Sequence, residues 1–228
     1  MAGVMTCGFD VSHSTANRNK SYGAFVASMD LKQSVKFFSC SSEHTNGTEC
    51  SEHIKDYMQK ALTAFTDEHG VLPERILFYR DGVGEGQIDQ IIIQEVENLR
   101  EVLNLAYGKQ ATKPKFAFIV VSKRINAKFF MASNRGPGYM NPPPGTVVDD
   151  VVTLPERYVH RISSFYVNLI FIFFSYDFFL VSQSVRQGTV SPTSYNVIHD
   201  TFGLTPDRMQ QLTYKMCHLY YNWCGTTR

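Results

Sequence analysis

Two aspartates carry the chemistry this chain is best equipped to perform. Asp10 lies in the run Gly8-Phe9-Asp10-Val11-Ser12-His13, and Asp81 in the run Phe78-Tyr79-Arg80-Asp81-Gly82-Val83. Each follows an apolar, β-prone stretch and precedes a polar or glycine-rich turn. Carboxylates at the ends of adjacent strands stand on rigid supports and point the same way, so they can converge on a divalent cation. Two-metal phosphodiester cleavage needs such groups to bridge ions about 4 Å apart, one ion activating the attacking water and the other stabilising the leaving oxygen. Taken singly, each aspartate reads equally as an Asx turn at a strand end. The signal lies in the pair.

Other runs carry weaker chemistry. Gly82-Val83-Gly84-Glu85-Gly86-Gln87 sits between a strand and a helix, where a phosphate loop would sit. Its spacing is GxGxG and no P-loop lysine follows, so a tight turn that uses glycine's freedom is the better reading. Lys123, Arg124 and Lys128 form a local basic cluster. It reads either as a solvated face or as a set of sequence-independent phosphate anchors. His13 reads as a turn residue, with no proton-shuttle geometry around it.

The elements that must position these residues follow from periodicity. Strands are predicted over 5–9, 22–29 and 35–40, separated by polar turns at 12–20 and 30–34, with a polar loop over 41–48. A helix is predicted over 49–68, with Ile54, Tyr57, Met58, Ala61, Leu62 and Phe65 on one face and Gly70 and Pro73 as its stop. A short buried strand over 75–79 leads to a helix over 87–106 that carries Ile88, Ile91, Ile92, Val96, Leu99 and Leu103. Further strands are predicted over 116–121, 178–182 and 195–198, a Pro/Gly/Asn-rich loop over 134–144, and a last helix over 206–221. Three antiparallel-looking strands followed by alternating helix and strand give an α/β fold, a mixed sheet with helices on its faces.

The chain has 228 residues and is 43% hydrophobic, enough for a real core in one domain. Its net charge is +1, so any nucleic-acid affinity must come from a local patch. Five cysteines, Cys7, Cys40, Cys50, Cys217 and Cys224, include no CxxC pair, which favours reduced thiols over a zinc site or a disulfide framework. Residues 1–7 lack the basic start of a secretory signal. The apolar run 165–174, flanked by His160, Arg161 and Asp177, is about half the ~20 residues a spanning helix needs.

Taken together, these runs resemble the PIWI domain of Argonaute proteins, and the Piwi clade in particular. Tyr79-Arg80-Asp81-Gly82-Val83-Gly84-Glu85-Gly86-Gln87 is similar to the run around that family's second catalytic aspartate, and the Asp10 run to that around its first. Lys123-Arg124-Ile125-Asn126-Ala127-Lys128-Phe129-Phe130 resembles its basic segment near the guide RNA. Gln187-Gly188-Thr189-Val190-Ser191-Pro192-Thr193 and Leu212-Thr213-Tyr214-Lys215-Met216-Cys217-His218 resemble runs further downstream. The likeness covers nearly the whole chain except 158–175.

The resemblance implies an RNase H-like mixed sheet with flanking helices, in an incomplete PIWI domain. It implies binding of a piRNA-type guide and RNA-guided endonucleolytic cleavage of target RNA, in gene and transposon silencing. The implied partners are a small guide RNA and a complementary target RNA, with no membrane, and the implied cofactor is Mg2+ or Mn2+. The implied compartment is the cytoplasm, perinuclear granules included, with the nucleus left open. Asp10 and Asp81 map onto catalytic, metal-binding aspartates. The family's glutamate finger points to Glu49, with Glu52 and Glu43 as runners-up because the loop there varies in length. Glu49 reads equally as a first-turn glutamate favoured by the helix dipole. Lys123, Arg124, Lys128, Gln187 and Thr193 map onto RNA-binding positions.

Two departures accompany the resemblance. The family's fourth catalytic residue, a His, Asp or Lys, lies beyond the last run resembled, 220–228, as does the tail that closes the guide's 5′-phosphate pocket. The chain as written is expected to lack both, along with N-terminal, PAZ and MID domains. It is therefore expected to be poorly soluble and inactive alone, and its status as an enzyme stays open. A non-catalytic small-RNA-binding or protein-interaction module is the alternative. A standalone RNase H-type or integrase-like nuclease ranks third, since the last helix offers only Asp207 as a final acid.

The second departure is the apolar insert 158–175, where the resemblance runs Glu156-Arg157 almost directly into Tyr176-Asp177-Phe178-Phe179. If Arg157 is CGG, then Arg157-Tyr158-Val159 can be written CG-GTAYGTN, a splice-donor string, and Phe174-Ser175 can be written TTYAG-Y, an acceptor. Excision restores Arg-Tyr-Asp-Phe-Phe in frame. An unspliced intron is the expectation and a lineage-specific loop the alternative. Sequencing of cDNA across Glu156 to Asp177 should yield transcripts without the insert. Transcripts that all encode Phe165 to Phe174 would refute the intron.

Overall fold

Inward-pointing Met5, Cys7 and Phe9 alternate with outward-pointing residues to make β1 (Val4–His13), which leaves Asp10 and Ser12 exposed on the opposite face. This computed structural model describes residues 3–14, 20–31, 35–45, 53–83, 92–108, 113–133, 137–150, 152–153, 176–220 and 222–228. They divide into a first unit, Met1–Val120 with Ile198–Gly203, and a second, Val121–Val197 with Leu204–Arg228.

In the first unit, β2 (Lys20–Ser28) runs antiparallel to β1, from Cys7 opposite Ala27 to His13 opposite Ser21. β3 (Phe37–Thr45) runs antiparallel to β2, with Lys20 opposite Thr45. Asp30 caps the turn between them by accepting the N–H groups of Val35 and Lys36 at 2.8 and 2.5 Å. The helix α1 (Ile54–His69) buries the apolar face read from sequence and ends at Gly70, whose φ of 71° lets its N–H return to Thr66 O. β4 (Arg75–Asp81) then lies parallel to β1, with Val4 opposite Arg75 and Phe9 opposite Arg80. With β5 (Lys115–Ser122) the order is β3-β2-β1-β4-β5, so antiparallel and parallel pairs mix in one sheet. The helix α2 (Glu97–Tyr107) is entered through a π-turn, Ile92–Val96, and is tied to α1 by a Lys55–Glu101 ion pair at 2.5 Å.

Rings fill this core. Phe25 stacks on Tyr57 at 5.9 Å, and Phe78 on Phe118 at 5.0 Å and 8°. Burying each such phenyl ring contributes about 1.5–3 kcal/mol. His199, near the end of β10 (Thr193–Asp200), lies 5.4 Å from the Phe116 ring. Burial, helped by the Arg100 charge, lowers its pKa from 6.5 to about 4. The unfolded chain therefore binds the extra proton first. The stability that neutral His199 contributes is complete above pH 6.5 and is lost as pH falls toward 4, by at most about 3 kcal/mol. Urea unfolding at pH 7 and pH 4.5 should show this fall, and His199→Gln should flatten it.

In the second unit, β9 (Tyr176–Val181) pairs antiparallel with β10 on one side and β8 (Thr146–Val148) on the other. A small hairpin joins β6 (Met131–Ala132) to β7 (Tyr139–Met140). Phe178 stacks on Tyr195 at 5.0 Å. The helix α3 (Pro206–Met216) starts with Pro206 in its first turn and buries Met209, Gln210 and Thr213.

Several boundaries differ from the sequence expectation. β1 and β3 run on through polar residues to His13 and Thr45, because antiparallel pairing with β2 satisfies their backbone whatever the side chains are. The last helix stops at Met216. There the N–H groups of His218 and Leu219 turn to carbonyls three residues back, Lys215 and Met216. β6, β7 and β8 are too short to show an alternation; β6 just precedes the predicted loop 134–144, and β7 falls within it. Among the described residues no helix is long and apolar enough to cross a membrane, and the run 165–174 lies outside them.

Candidate active site

The parallel ladder between β1 and β4 ends with Phe9 opposite Arg80, so the next residue on each strand is an aspartate. Residues in register on adjacent parallel strands share a face. Phe9 and Arg80 point into the core, and Asp10 and Asp81 point together to the other side. Asp10 is not at the end of its strand, as the sequence suggested. It stands where β1 parts from β4 while remaining paired with β2, opposite Ala24. The strand end that matters is that of the parallel ladder.

Both carboxylates are held in the same way. Asp10 Oδ1 accepts the N–H of Val11 and Asp81 Oδ1 that of Gly82, each at 2.8 Å. Gly82 has φ 80°, and a Cβ there would stand 2.9 Å from Asp10 Oδ1. Glycine is thus required twice over, by its backbone conformation and by the closeness of the Asp10 carboxylate.

Beneath the aspartates lies a buried ion pair that the sequence reading passed over. Arg80 is 1% exposed and Glu95 0%. Arg80 Nε donates to both Glu95 oxygens, at 3.2 and 3.0 Å, and its Nη1 donates to the backbone carbonyl of Asp81. Its guanidinium also lies over the Phe9 ring, 4.7 Å from the centroid. The available signal was a charged residue at an inward strand position, in phase with Ile76 and Phe78.

The donor set fits a hard divalent cation, since both groups offer carboxylate oxygens on rigid strands. Among the described residues, no group of three His, Cys, Asp or Glu side chains is placed to hold an ion. Glu49 and Glu52 lie outside the described residues, as does 84–87 of the glycine run. Glu43 is described. It sits on β3 opposite Tyr22 and is ion-paired with Lys20 at 3.0 Å, whereas the residue level with Asp10 on that strand is Ser41. His13 Nδ1 is hydrogen-bonded with Ser21 Oγ at 2.7 Å.

In the second unit, Lys123, Arg124 and Lys128 are exposed on the extended stretch that follows β5. Lys128 Nζ donates to Ser191 Oγ, which brings the basic run beside the run 187–193. Asn141, which the sequence hid inside a proline-rich loop, clamps that second run. Its Nδ2 donates to Gly188 O at 2.9 Å and its Oδ1 accepts the N–H of Val190 at 3.2 Å. Gln187 is exposed. Thr193 is fully buried in β10, and its Oγ1 has no hydrogen-bond partner among the described residues.

The Piwi domain family model matches residues 1–228. Protein aubergine of Drosophila melanogaster is 52% identical over 229 residues, covering 99% of this chain and 24% of its own length. Protein piwi of the same organism is 47% identical, covering 100% and 24%. The crystal structure of Drosophila Piwi superposes with a TM-score of 0.80 at 48% identity, covering 100% of this chain and 28% of that one. The structure of Kluyveromyces polysporus Argonaute with a guide RNA superposes at 0.76 with 23% identity, a likeness of fold. The mixed sheet with flanking helices is therefore the RNase H-like fold of Argonaute PIWI domains. The chain spans about a quarter of the length of the curated relatives it matches. On a family match that runs from its first residue to its last, and on relatives about half identical over the same span, the chain belongs to the Piwi domain family.

Proposed function

We propose that this domain, within its full-length protein, binds a small guide RNA of the piRNA type and takes part in silencing complementary transcripts by cutting them. The observation that carries the reading is the in-register placement of Asp10 and Asp81 on one face at the end of the β1–β4 ladder. The kinship with aubergine and piwi supports it, and so does the guide RNA named with the yeast Argonaute structure. Asp10 and Asp81 would hold Mg2+ or Mn2+, and such an ion, when bound, supplies an activated water and charge stabilisation at the phosphate. The chain's own contribution is to fix two carboxylates against backbone N–H groups and to keep Gly82 out of their way. Glu49 is proposed as the third carboxylate. Guide–target pairing would supply sequence specificity, with the protein reading backbone shape. The cytoplasm, perinuclear granules included, is the proposed compartment.

Lys123, Arg124, Lys128 and Gln187 are proposed to bind the RNA backbone in sequence-independent contact. Buried Thr193 would serve from within β10 by supporting the 187–193 run. Replacing the three basic residues with alanine should weaken single-stranded RNA binding and lower the slope of log K against log salt by about 2, at roughly 0.7 per lost contact. An unchanged slope would remove them from the site. The test of the whole reading is a cleavage assay on the full-length protein with a 5′-phosphorylated guide, complementary RNA and Mg2+. A single cut opposite the guide is expected. Guide binding with no cut would leave the non-catalytic module as the function.

A further inference from the structure

We propose that the buried Arg80–Glu95 pair is a positioning device for the two aspartates, setting their separation and hence the affinity of the site for its ion. The inference rests on the reading of Asp10 and Asp81 as metal ligands. Arg80 reaches both sides of the site at once. Its guanidinium stacks on Phe9, the residue before Asp10, at 4.7 Å, and donates to the backbone carbonyl of Asp81 itself. Glu95 fixes that guanidinium through both carboxylate oxygens, at 3.2 and 3.0 Å. One planar group therefore bridges the two strands immediately behind the carboxylates. Arginine suits the task and lysine does not, because only a flat, forked cation can stack on a ring while donating in several in-plane directions.

Stability alone gives a poor account of the pair. A buried ion pair is often no better than a well-packed apolar pair of the same volume. Here Glu95, at 0% exposure, sits within a π-turn at Ile92–Val96, and such turns collect at functional sites. Groups behind metal ligands orient them, and their replacement commonly costs 10–100-fold in metal affinity or activity, a range given by about that order for outer-shell partners.

The test uses the full-length protein, with Mn2+ alone as the probe, read by electron paramagnetic resonance. Arg80→Lys keeps the charge and loses the fork. The double variant Arg80→Met with Glu95→Leu replaces the pair by apolar side chains. Both are expected to keep the thermal midpoint and guide-RNA affinity of the parent, to bind Mn2+ about tenfold or more weakly, and to recover cleavage as Mg2+ is raised. Asp81→Asn is run beside them. If Asp81→Asn binds Mn2+ as the parent does, the metal-ligand reading falls and takes this inference with it. If Asp81→Asn loses Mn2+ while a folded pair variant binds it with parental affinity, the positioning role alone is overturned. Unfolding of both pair variants would also overturn it, by making the pair a requirement of the fold.

Discussion

Asp81→Ala and Asp10→Ala, each made in the full-length protein, should lower guide-directed cleavage by at least about 10²–10³-fold, the usual loss when one preorganised electrostatic group is removed. Guide affinity should not change. The two aspartates accept the N–H groups of their own neighbours, Val11 and Gly82, and Asp10 is exposed while Asp81 is half-buried, on the side of the strands away from Phe9 and Arg80. Each truncation therefore removes oxygen donors without disturbing the sheet. The Asp81 variant should lose less stability than any core substitution, and circular dichroism and a binding isotherm beside the cleavage assay would check this. Normal cleavage by both variants would refute the assignment.

Among the described polar residues of the first unit, Glu95 is the one whose replacement by alanine should affect folding most. The change leaves Arg80 buried at 1% exposure without the carboxylate that takes its Nε–H. Breaking a buried pair in this way costs about 3–5 kcal/mol, because a charge is left uncompensated in a poorly solvating interior. Against a typical total of about 5–15 kcal/mol this is a large fraction. The apolar double replacement of Arg80 and Glu95 should unfold close to the parent, since it removes both charges together. Urea midpoints for the single and double variants would decide the matter, and a single variant as stable as the parent would show that water reaches Arg80.

The aspartates were legible in the sequence because strand periodicity and a following turn are local signals. Their meeting was not local. It depends on β1 and β4 lying parallel in register, a fact fixed by a chain path of some length through β2, β3 and α1. The face of α1 could be read residue by residue, from Ile54 to Phe65, because burial there follows helical spacing. Glu95 could not, since it shares the helical spacing of the buried Leu99 and Val102 but carries a charge, which periodicity assigns to solvent. Arg80 was hidden by its company: beside a candidate ligand, a charged residue looks like part of the polar site, although it faces the core. The ends of β1 and β3 were misplaced because pairing with β2, rather than side-chain pattern, carries them onward. Thr193 shows the converse: a residue assigned by motif can sit wholly inside a strand.

A π-turn is a helix that holds one residue too many for its length. Removing a single residue from Ile92–Val96 would give the backbone a regular α-helical ladder and a small local gain. The same deletion would rotate the two sides of the cut against each other by roughly 100°, one residue's turn. Where Val96 is the residue removed, Glu95 could not then face Arg80 while Leu99, Val102 and Leu103 kept their places in the core. The segment is therefore counted to the residue. A deletion scan along it should turn up chains whose isolated helix is more regular and whose domain no longer folds.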